Sequence, residues 1–367
     1  MIDNKLKIGF IGLGLIGGSL AKGFREYLPN CTIVAFDKSK ESLALAALEG
    51  VINQFSLVID DTFKDCDFIF LCAPVSFNNA YLKQVKKYLN KNCILTDVGS
   101  VKSPLHRAVA ENEMEENFIG GHPMTGSEKS GYSNSDPIIF ENAYYILSPT
   151  TLVAEEKIVR LKDLICTIKS LPLILDPMEH DYSTGIVSHL PHILAATLVD
   201  FTRQKDTKEH LLRNLAAGGF KDITRIASSS PTMWEHICAQ NGEFIVQILE
   251  DYINSLTEVT KLIKEENSTK IYELFTRAKD YRSQIEGNGS GAIKKEFTIY
   301  CDLKDEAGGI ATIATLLASA TINIKNIGIL HNREFEEGVL HINFYNLKDK
   351  KKATEILQDK GYIVYEY

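Results

Sequence analysis

Between Leu6 and Leu173, short apolar runs alternate with longer stretches of helical periodicity. KIGFIG, TIVAFD, DFIFLCAP, CILTDVG and AYYILSP read as strands, and GGSLAKGFREY and KESLALAAL between them read as helices. This alternation predicts βαβ units around a parallel sheet. The near-continuous apolar character of IGFIG and FIFLC fits strands buried on both faces. The pattern changes after Pro172. From His180 to about Glu286 long helical periods dominate, among them TGIVSHLPHILAATLVDF and EFIVQILEDYINSLTEVTKLIKEE. Their apolar faces suit either packing within the chain or a dimer contact. Asn288, Gly289, Ser290 and Gly291 cannot sustain a core helix and mark a linker. From Phe297 onward the order is strand, helix, strand, strand, helix, strand, the βαββαβ ferredoxin-like split unit. The predicted fold is α/β: a Rossmann-type parallel sheet over 1–173, an all-helical domain over 174–286, a linker over 287–295, and the ferredoxin-like domain over 296–367.

Composition narrows the function. The 367 residues carry 40 Lys and Arg against 48 Asp and Glu, a net charge of −8. The length fits two or three domains at roughly 150 residues each. A mildly acidic chain lacks the basic face of a general nucleic-acid or anionic-membrane binder, though it still has room for a local anion site. Seven cysteines are dispersed without a CxxC pair, which fits free thiols in a reducing compartment. The N-terminus has no signal-peptide pattern, and no stretch approaches the ~20 apolar residues of a membrane span. The expected location is the cytoplasm.

The first strand runs into Gly12-Leu13-Gly14-Leu15-Ile16-Gly17 and then directly into a helix. In that context GxGxxG is a dinucleotide turn. Gly12 allows the tight bend, Gly14 the approach of a pyrophosphate, and Gly17 close packing, with Leu15 and Ile16 opening the helix. The pyrophosphate would meet unpaired N–H groups at the helix start. Asp37 closes the second strand 20 residues past Gly17. Its carboxylate suits ribose hydroxyls and repels a 2′-phosphate, so the expected cofactor is NAD. Ala73 and Pro74 lie at the carboxyl edge of another strand, where such a ligand crosses. Ser100 and Lys102, in DVGSVK, reach the nicotinamide end, unless Ser100 only caps the next helix.

Gly120 to Gly131, GGHPMTGSEKSG, is the densest polar and glycine cluster. It reads as a substrate loop whose His122 accepts the proton of an alcohol under oxidation, with Ser127 and Glu128 beside it. His189 and His192 of SHLPH interrupt an apolar helix, a costly place for imidazoles that are neither satisfied nor used. Lys221 and Arg225 are four residues apart, on one face if helical, and form an anion grip. Trp234, the sole tryptophan, either walls this pocket or packs a core.

Taken together, GLGLIGGSLAKG, DVGSVK, GGHPMTGSEKSG, SHLPH and GGFKDITRIASSSPTMW resemble the prephenate and arogenate dehydrogenase family of tyrosine biosynthesis. The match is to the bacterial form with a C-terminal ACT domain, and it covers essentially the whole chain. The resemblance implies NAD-dependent oxidative decarboxylation of prephenate to 4-hydroxyphenylpyruvate, with no metal. On it, His122 takes the hydroxyl proton and Ser100 stands beside it and the nicotinamide. Arg225, with Lys221, binds a substrate carboxylate; His192 meets the substrate side chain; Glu128 gates the pocket. His192 points to prephenate over arogenate. A homodimer is implied, as is L-tyrosine as effector at Asp305–Ile310, with Asn323 and Asn326 contributing. The dinucleotide strand begins by Leu6, so no chorismate mutase segment is expected. The alternatives are arogenate dehydrogenase, a related 3-hydroxy acid or phosphogluconate dehydrogenase, and an amino-acid or redox sensor retaining the fold.

Overall fold

The structure, a computed structural model, describes residues 5–73, 75–126, 129–287, 297–303, 308–330 and 338–365; side chains 75–79, 286–287, 329–330 and 338 are left out of the description. Pro74, Ser127, Glu128, the linker glycines and Asp305 to Ala307 fall outside it. The described residues form two compact units, Met1–Ile271 and Tyr272–Tyr367.

The first unit is built on an eight-stranded sheet: β1 (Lys7–Ile11), β2 (Thr32–Phe36), β3 (Gln54–Ser56), β4 (Phe68–Leu71), β5 (Ile94–Asp97), β6 (Phe118–Pro123), β7 (Tyr144–Pro149) and β8 (Leu171–Ile174). Its order is β3-β2-β1-β4-β5-β6-β7-β8. The first six strands reproduce the dinucleotide-binding order, with the switch point between β1 and β4. Helices α1 (Leu15–Tyr27), α2 (Lys40–Leu48), α3 (Val75–Val85), α4 (Ser103–Glu111) and α5 (Glu155–Thr167) lie between strands. Two apolar clusters form the core. In one of them Phe10 stacks on Phe70 with ring centres 5.3 Å apart. Strands β1, β4 and β5 are buried along nearly their whole length, as their apolar runs require.

The sheet differs from an all-parallel one at a single junction, where β7 pairs antiparallel to β6. A parallel return needs a crossover, usually a helix. Among the described residues, the β6–β7 connection offers only 3-10 turns at Tyr132–Asn134 and Pro137–Phe140. β6 itself replaces part of the expected loop: Gly120, Gly121 and His122 are strand residues.

The same unit continues into helices α6 (Pro177–Thr184), α7 (Leu190–Lys205), α8 (Leu211–Leu215), α9 (Gly218–Thr224), α10 (Pro231–Gln240) and α11 (Gly242–Lys264). Asp176 caps α6, accepting hydrogen bonds from the Met178 and Glu179 N–H groups, and Pro177 follows at the first helical position. Helix α12 (Ser268–Gly287) contains the boundary between units. The second unit has β9 (Phe297–Leu303), α13 (Gly309–Ser319), β10 (Ile324–Leu330), β11 (Gly338–Phe344), α14 (Leu347–Asp359) and β12 (Val364–Tyr365). Its antiparallel sheet runs β10-β11-β9-β12, the ferredoxin-like order. Ile299, Cys301, Leu340, Ile342 and Phe344 form its core with Ile313 and Leu317 of α13 and Leu357 of α14. No helix among the described residues is long and apolar enough to cross a membrane, and all seven cysteines are free thiols.

One buried ion pair ties β5, β6 and α4 together. Lys102 and Asp97 are both fully buried, and the Lys102 ammonium donates to Asp97 Oδ2 and, at 2.6 Å, to the Gly121 carbonyl. Asp97 also accepts from the backbone N–H of Gly99 at 2.8 Å and of Gly121 at 3.0 Å. Burial pushes the Lys102 pKa below the ordinary lysine value, and the Asp97 charge opposes that shift. Such proximity leaves no space beside β6. A methyl group on Gly121 would press on the Asp97 carbonyl, stand 2.9 Å from Thr96 Oγ1 and meet the Tyr145 ring at 3.1 Å.

Lys102→Met should therefore strand the Asp97 charge and cost about 3–5 kcal/mol of stability, read by urea denaturation. Gly121→Ala should cost about 1–3 kcal/mol through overpacking, and melting temperature is the check.

Candidate active site

At the β1–α1 turn, Gly12 has φ +100°, a left-handed backbone that an L side chain rarely adopts, and an added Cβ would strike Ala73 and Cys72 at the end of β4. Gly14, in extended conformation, precedes α1; among the described residues nothing lies within 4 Å of where its Cβ would be. The helix N-terminus therefore opens onto free space at the point where a pyrophosphate has to approach. Gly17 has no room for a side chain, because its Cβ would meet the Cys72 side chain at 2.9 Å. Leu15 and Ile16 open α1 between these glycines. Asp37 stands against this turn, its carboxylate accepting from Leu13 N at 2.6 Å and from Ser39 N at 2.7 Å. Each oxygen keeps a further lone pair for a ribose hydroxyl. The cradle thus fits a dinucleotide.

Beyond the carboxyl ends of β5 and β6 lies a cavity of about 600 Å³. Ser100, His122, His189, His192, Arg225 and Trp234 line it together with Met124, Ser188, Ser229, Ile237 and others. Ser100 is not a helix cap. α4 begins at Ser103 behind Lys102, and Ser100 stays with the cavity. Arg225 is exposed and starts a 3-10 turn, Arg225–Ser228, just past α9. It forms no salt bridge among the described residues, so its charge is open to an anion. Lys221 is the exception among the expected cavity residues. It is exposed on α9, which ends at Thr224, and it is not among the lining residues. Arg225 follows α9 directly in helical backbone conformation, so of this pair Arg225 lines the cavity and Lys221 does not.

His122 sits near the end of β6, half-buried, with Nδ1 2.8 Å from His180 Nε2. His180 in turn places Nδ1 2.8 Å from Asp181 Oδ1. Asp181 accepts from Lys102 N at 2.7 Å and Ser103 N at 2.8 Å, closing the start of α4. Burial would raise the Asp181 pKa, but hydrogen bonds from His180, Ser103 and the Lys102 backbone outweigh it and hold the value below the usual one. Burial, with His180, Lys102 and His189 nearby, holds the His122 pKa well below the ordinary histidine value. A neutral imidazole is the form that accepts a proton. Sequence reasoning missed His180 and Asp181. The only local signal was a His-Asp pair one turn inside a capped helix, and His122 is 58 residues away in sequence.

SHLPH does not lie within one regular α-helix: Ser188 and His189 end a π-turn, and Leu190 to His192 open α7. Gly185–His189 is a π-turn between α6 and α7. Pro191 accounts for it, since a proline ring clashes with the carbonyl four residues back and a widened turn relieves that clash. Buried His189 receives a hydrogen bond at Nδ1 from Asn241 Nδ2 at 3.0 Å, and Asn241 also donates to the Asp181 carbonyl at 2.8 Å. Burial brings the His189 pKa to about 4, so it too is neutral. His192 lies against Trp234, with ring centres 4.2 Å apart and planes tilted 30°. His192 Nδ1 donates to the Ser188 carbonyl at 2.9 Å.

Known proteins match this arrangement. The family model described as "Prephenate dehydrogenase, nucleotide-binding domain" fits residues 20–171, and "Prephenate dehydrogenase, dimerization domain" fits residues 176–277. Prephenate dehydrogenase of Bacillus subtilis is 34% identical over 352 residues, 95% of each chain. That of Lactococcus lactis is 36% identical over 357 residues, 96% of this chain and 97% of the relative. The crystal structure of Aquifex aeolicus prephenate dehydrogenase in complex with hydroxyphenyl propionate and NAD+ superposes with a TM-score of 0.72 at 33% identity. It covers 76% of this chain and 98% of that one. A dinucleotide cradle, and a cavity that holds both a neutral histidine at a strand end and an arginine, are thus combined in a chain that belongs to the prephenate dehydrogenase family.

Proposed function

We propose that the protein is an NAD-dependent prephenate dehydrogenase, converting prephenate to 4-hydroxyphenylpyruvate, CO2 and NADH. The observation that carries this reading is the neutral His122 sharing one cavity with Arg225, which forms no salt bridge among the described residues. A volume near 600 Å³ suits a small dianion held by a few polar groups. Arg225 pairs with a substrate carboxylate through its planar fork. His122 takes the proton of the ring hydroxyl, and the Ser100 hydroxyl lies in the same cavity to orient that group. Bound NAD+ supplies hydride acceptance, held by the Gly12–Gly17 turn, Asp37 and the strand end at Ala73. Release of CO2 restores an aromatic ring, so the protein needs to align the reactants and remove one proton, not to form a covalent adduct. Trp234, Met124 and Ile237 give the cavity its apolar wall.

His192 decides between the ketone of prephenate and the amine of arogenate. Its ring lies against Trp234 in the cavity wall, and the family resemblance assigns a histidine at this position to the ketone of prephenate. In a neutral ring with Nδ1 donating to Ser188, Nε2 is an acceptor and suits an ammonium group, so arogenate is the second reading. Glu128, outside the described residues, and Lys221, outside the cavity lining, keep supporting roles from the resemblance alone.

The division into nucleotide (1–173), helical (174–286) and regulatory (296–367) domains is part of this reading. L-tyrosine binds the C-terminal unit, where Gly308, at φ +94°, has no described residue within 4 Å of where its Cβ would be at the start of α13. Exposed Val246, Ile253, Leu256 and Ile263 on α11 support a homodimer through the helical region. The free thiols support a cytoplasmic location.

NADH formation from prephenate should exceed that from arogenate; a clear preference for arogenate would reverse the substrate assignment. His122→Asn should lower kcat about 100- to 10,000-fold, and Arg225→Gln should raise KM about 10- to 100-fold. Protonation disables the base, so kcat/KM should fall toward acid with its limb displaced below pH 6.5, the ordinary histidine value. L-tyrosine should lower the rate and raise the melting temperature; no change in either would leave the C-terminal unit without this effector.

A further inference from the structure

His122 has two ring nitrogens, and only the one without a proton is a base. Which one is settled by the chain of contacts behind it. The Lys102 and Ser103 N–H groups can only donate, and they occupy Oδ1 and Oδ2 of Asp181 at 2.7 and 2.8 Å. Asp181 is therefore an acceptor throughout, and His180 Nδ1, 2.8 Å from Oδ1, is the donor. A neutral His180 then carries its lone pair on Nε2. The partner of that lone pair at 2.8 Å, His122 Nδ1, has to hold the proton. The basic lone pair of His122 is left on Nε2.

We propose that His180 and Asp181 are positioning residues that fix the tautomer of His122 and share the proton it takes from the substrate hydroxyl. In the step, the substrate O–H bond breaks and its proton joins His122 Nε2. The Nδ1 proton moves across the 2.8 Å contact to His180 Nε2, placing an imidazolium beside the Asp181 carboxylate. The reverse shift returns the proton to His122 and on to water when the product leaves, so neither residue is consumed. Lys102 and His189 oppose a charge on His122, and Lys102 also opposes one on His180, where Asp181 and Asp97 favour it. Arg225, in the cavity lining, adds a further positive charge on the substrate side. Asn241 anchors the assembly through the Asp181 carbonyl. The kinetic side of this inference rests on the proposed function; the tautomer does not.

The tautomer is read on the wild-type protein by long-range proton–nitrogen NMR correlation of 15N-labelled histidines. His122 and His180 should both show protonated Nδ1 and bare Nε2; a proton on His122 Nε2 overturns the inference even if no variant folds. Asp181→Asn should lower kcat about 100-fold, with KM for prephenate and NAD+ binding near wild-type values. It should also move the acid limb of kcat/KM to lower pH, because the charge that favours a proton on the histidine pair is gone. Unchanged kcat, or a loss confined to melting temperature and KM with the acid limb in place, overturns the relay. If wild-type enzyme makes no NADH from prephenate, the functional reading fails, whereas the spectra still decide the tautomer.

Discussion

The Lys102–Asp97 pair is the constraint from which the active site hangs. Two charges with no exposure to water are expensive to desolvate, and such pairs add little net stability over an apolar replacement. What this one supplies is placement. Asp97 holds the Gly99 and Gly121 N–H groups, and the lysine holds the Gly121 carbonyl, so the loop bearing Ser100 and the strand bearing His122 are fixed against each other. The lysine's own backbone N–H then reaches Asp181, which brings the first helix beyond the sheet into the same lattice of bonds.

That lattice also sets the electrostatic character of the site. Burial depresses His106, His122, His180 and His189 below the ordinary histidine value. The imidazoles nearest the buried lysine are thus kept uncharged, and the positive charge offered to the cavity comes from Arg225. An acidic chain with net charge −8 can in this way receive an anion without a general basic surface. The selectivity lies in how many cations reach the pocket, not in how many the chain carries.

The parts of the fold governed by local rules were legible in the sequence. Buried strands such as Phe68–Leu71, the Gly12–Gly17 turn, Asp37 and the βαββαβ order of the C-terminal unit each follow from a pattern contained within a few residues. The cavity residues Ser100, His122, His192 and Arg225 were likewise visible as polar groups in glycine-rich or apolar settings. What was not legible depends on contacts distant in sequence. Strand β6 was hidden because GGHP has poor strand propensity and is held in place by Asp97 and Lys102 rather than by its own preferences. The His180–Asp181 pair acquires meaning only when α6 packs on α4, and which of Lys221 and Arg225 reaches the cavity depends on where α9 is placed against it.

The π-turn at Gly185–His189 has a consequence for angular phase. Twelve residues separate His180 from His192, and in an unbroken α-helix that spacing turns the second side chain roughly 120° away from the first. A turn closed by i→i+5 bonds holds about one more residue, which sets everything after it back by roughly 100°. The two histidines then share nearly one side of the helical axis, one bonded to His122 and the other in the cavity wall. Closing that turn into an unbroken α-helix with every residue kept would leave the side chains chemically intact and rotate one half of the site roughly 100° away from the other.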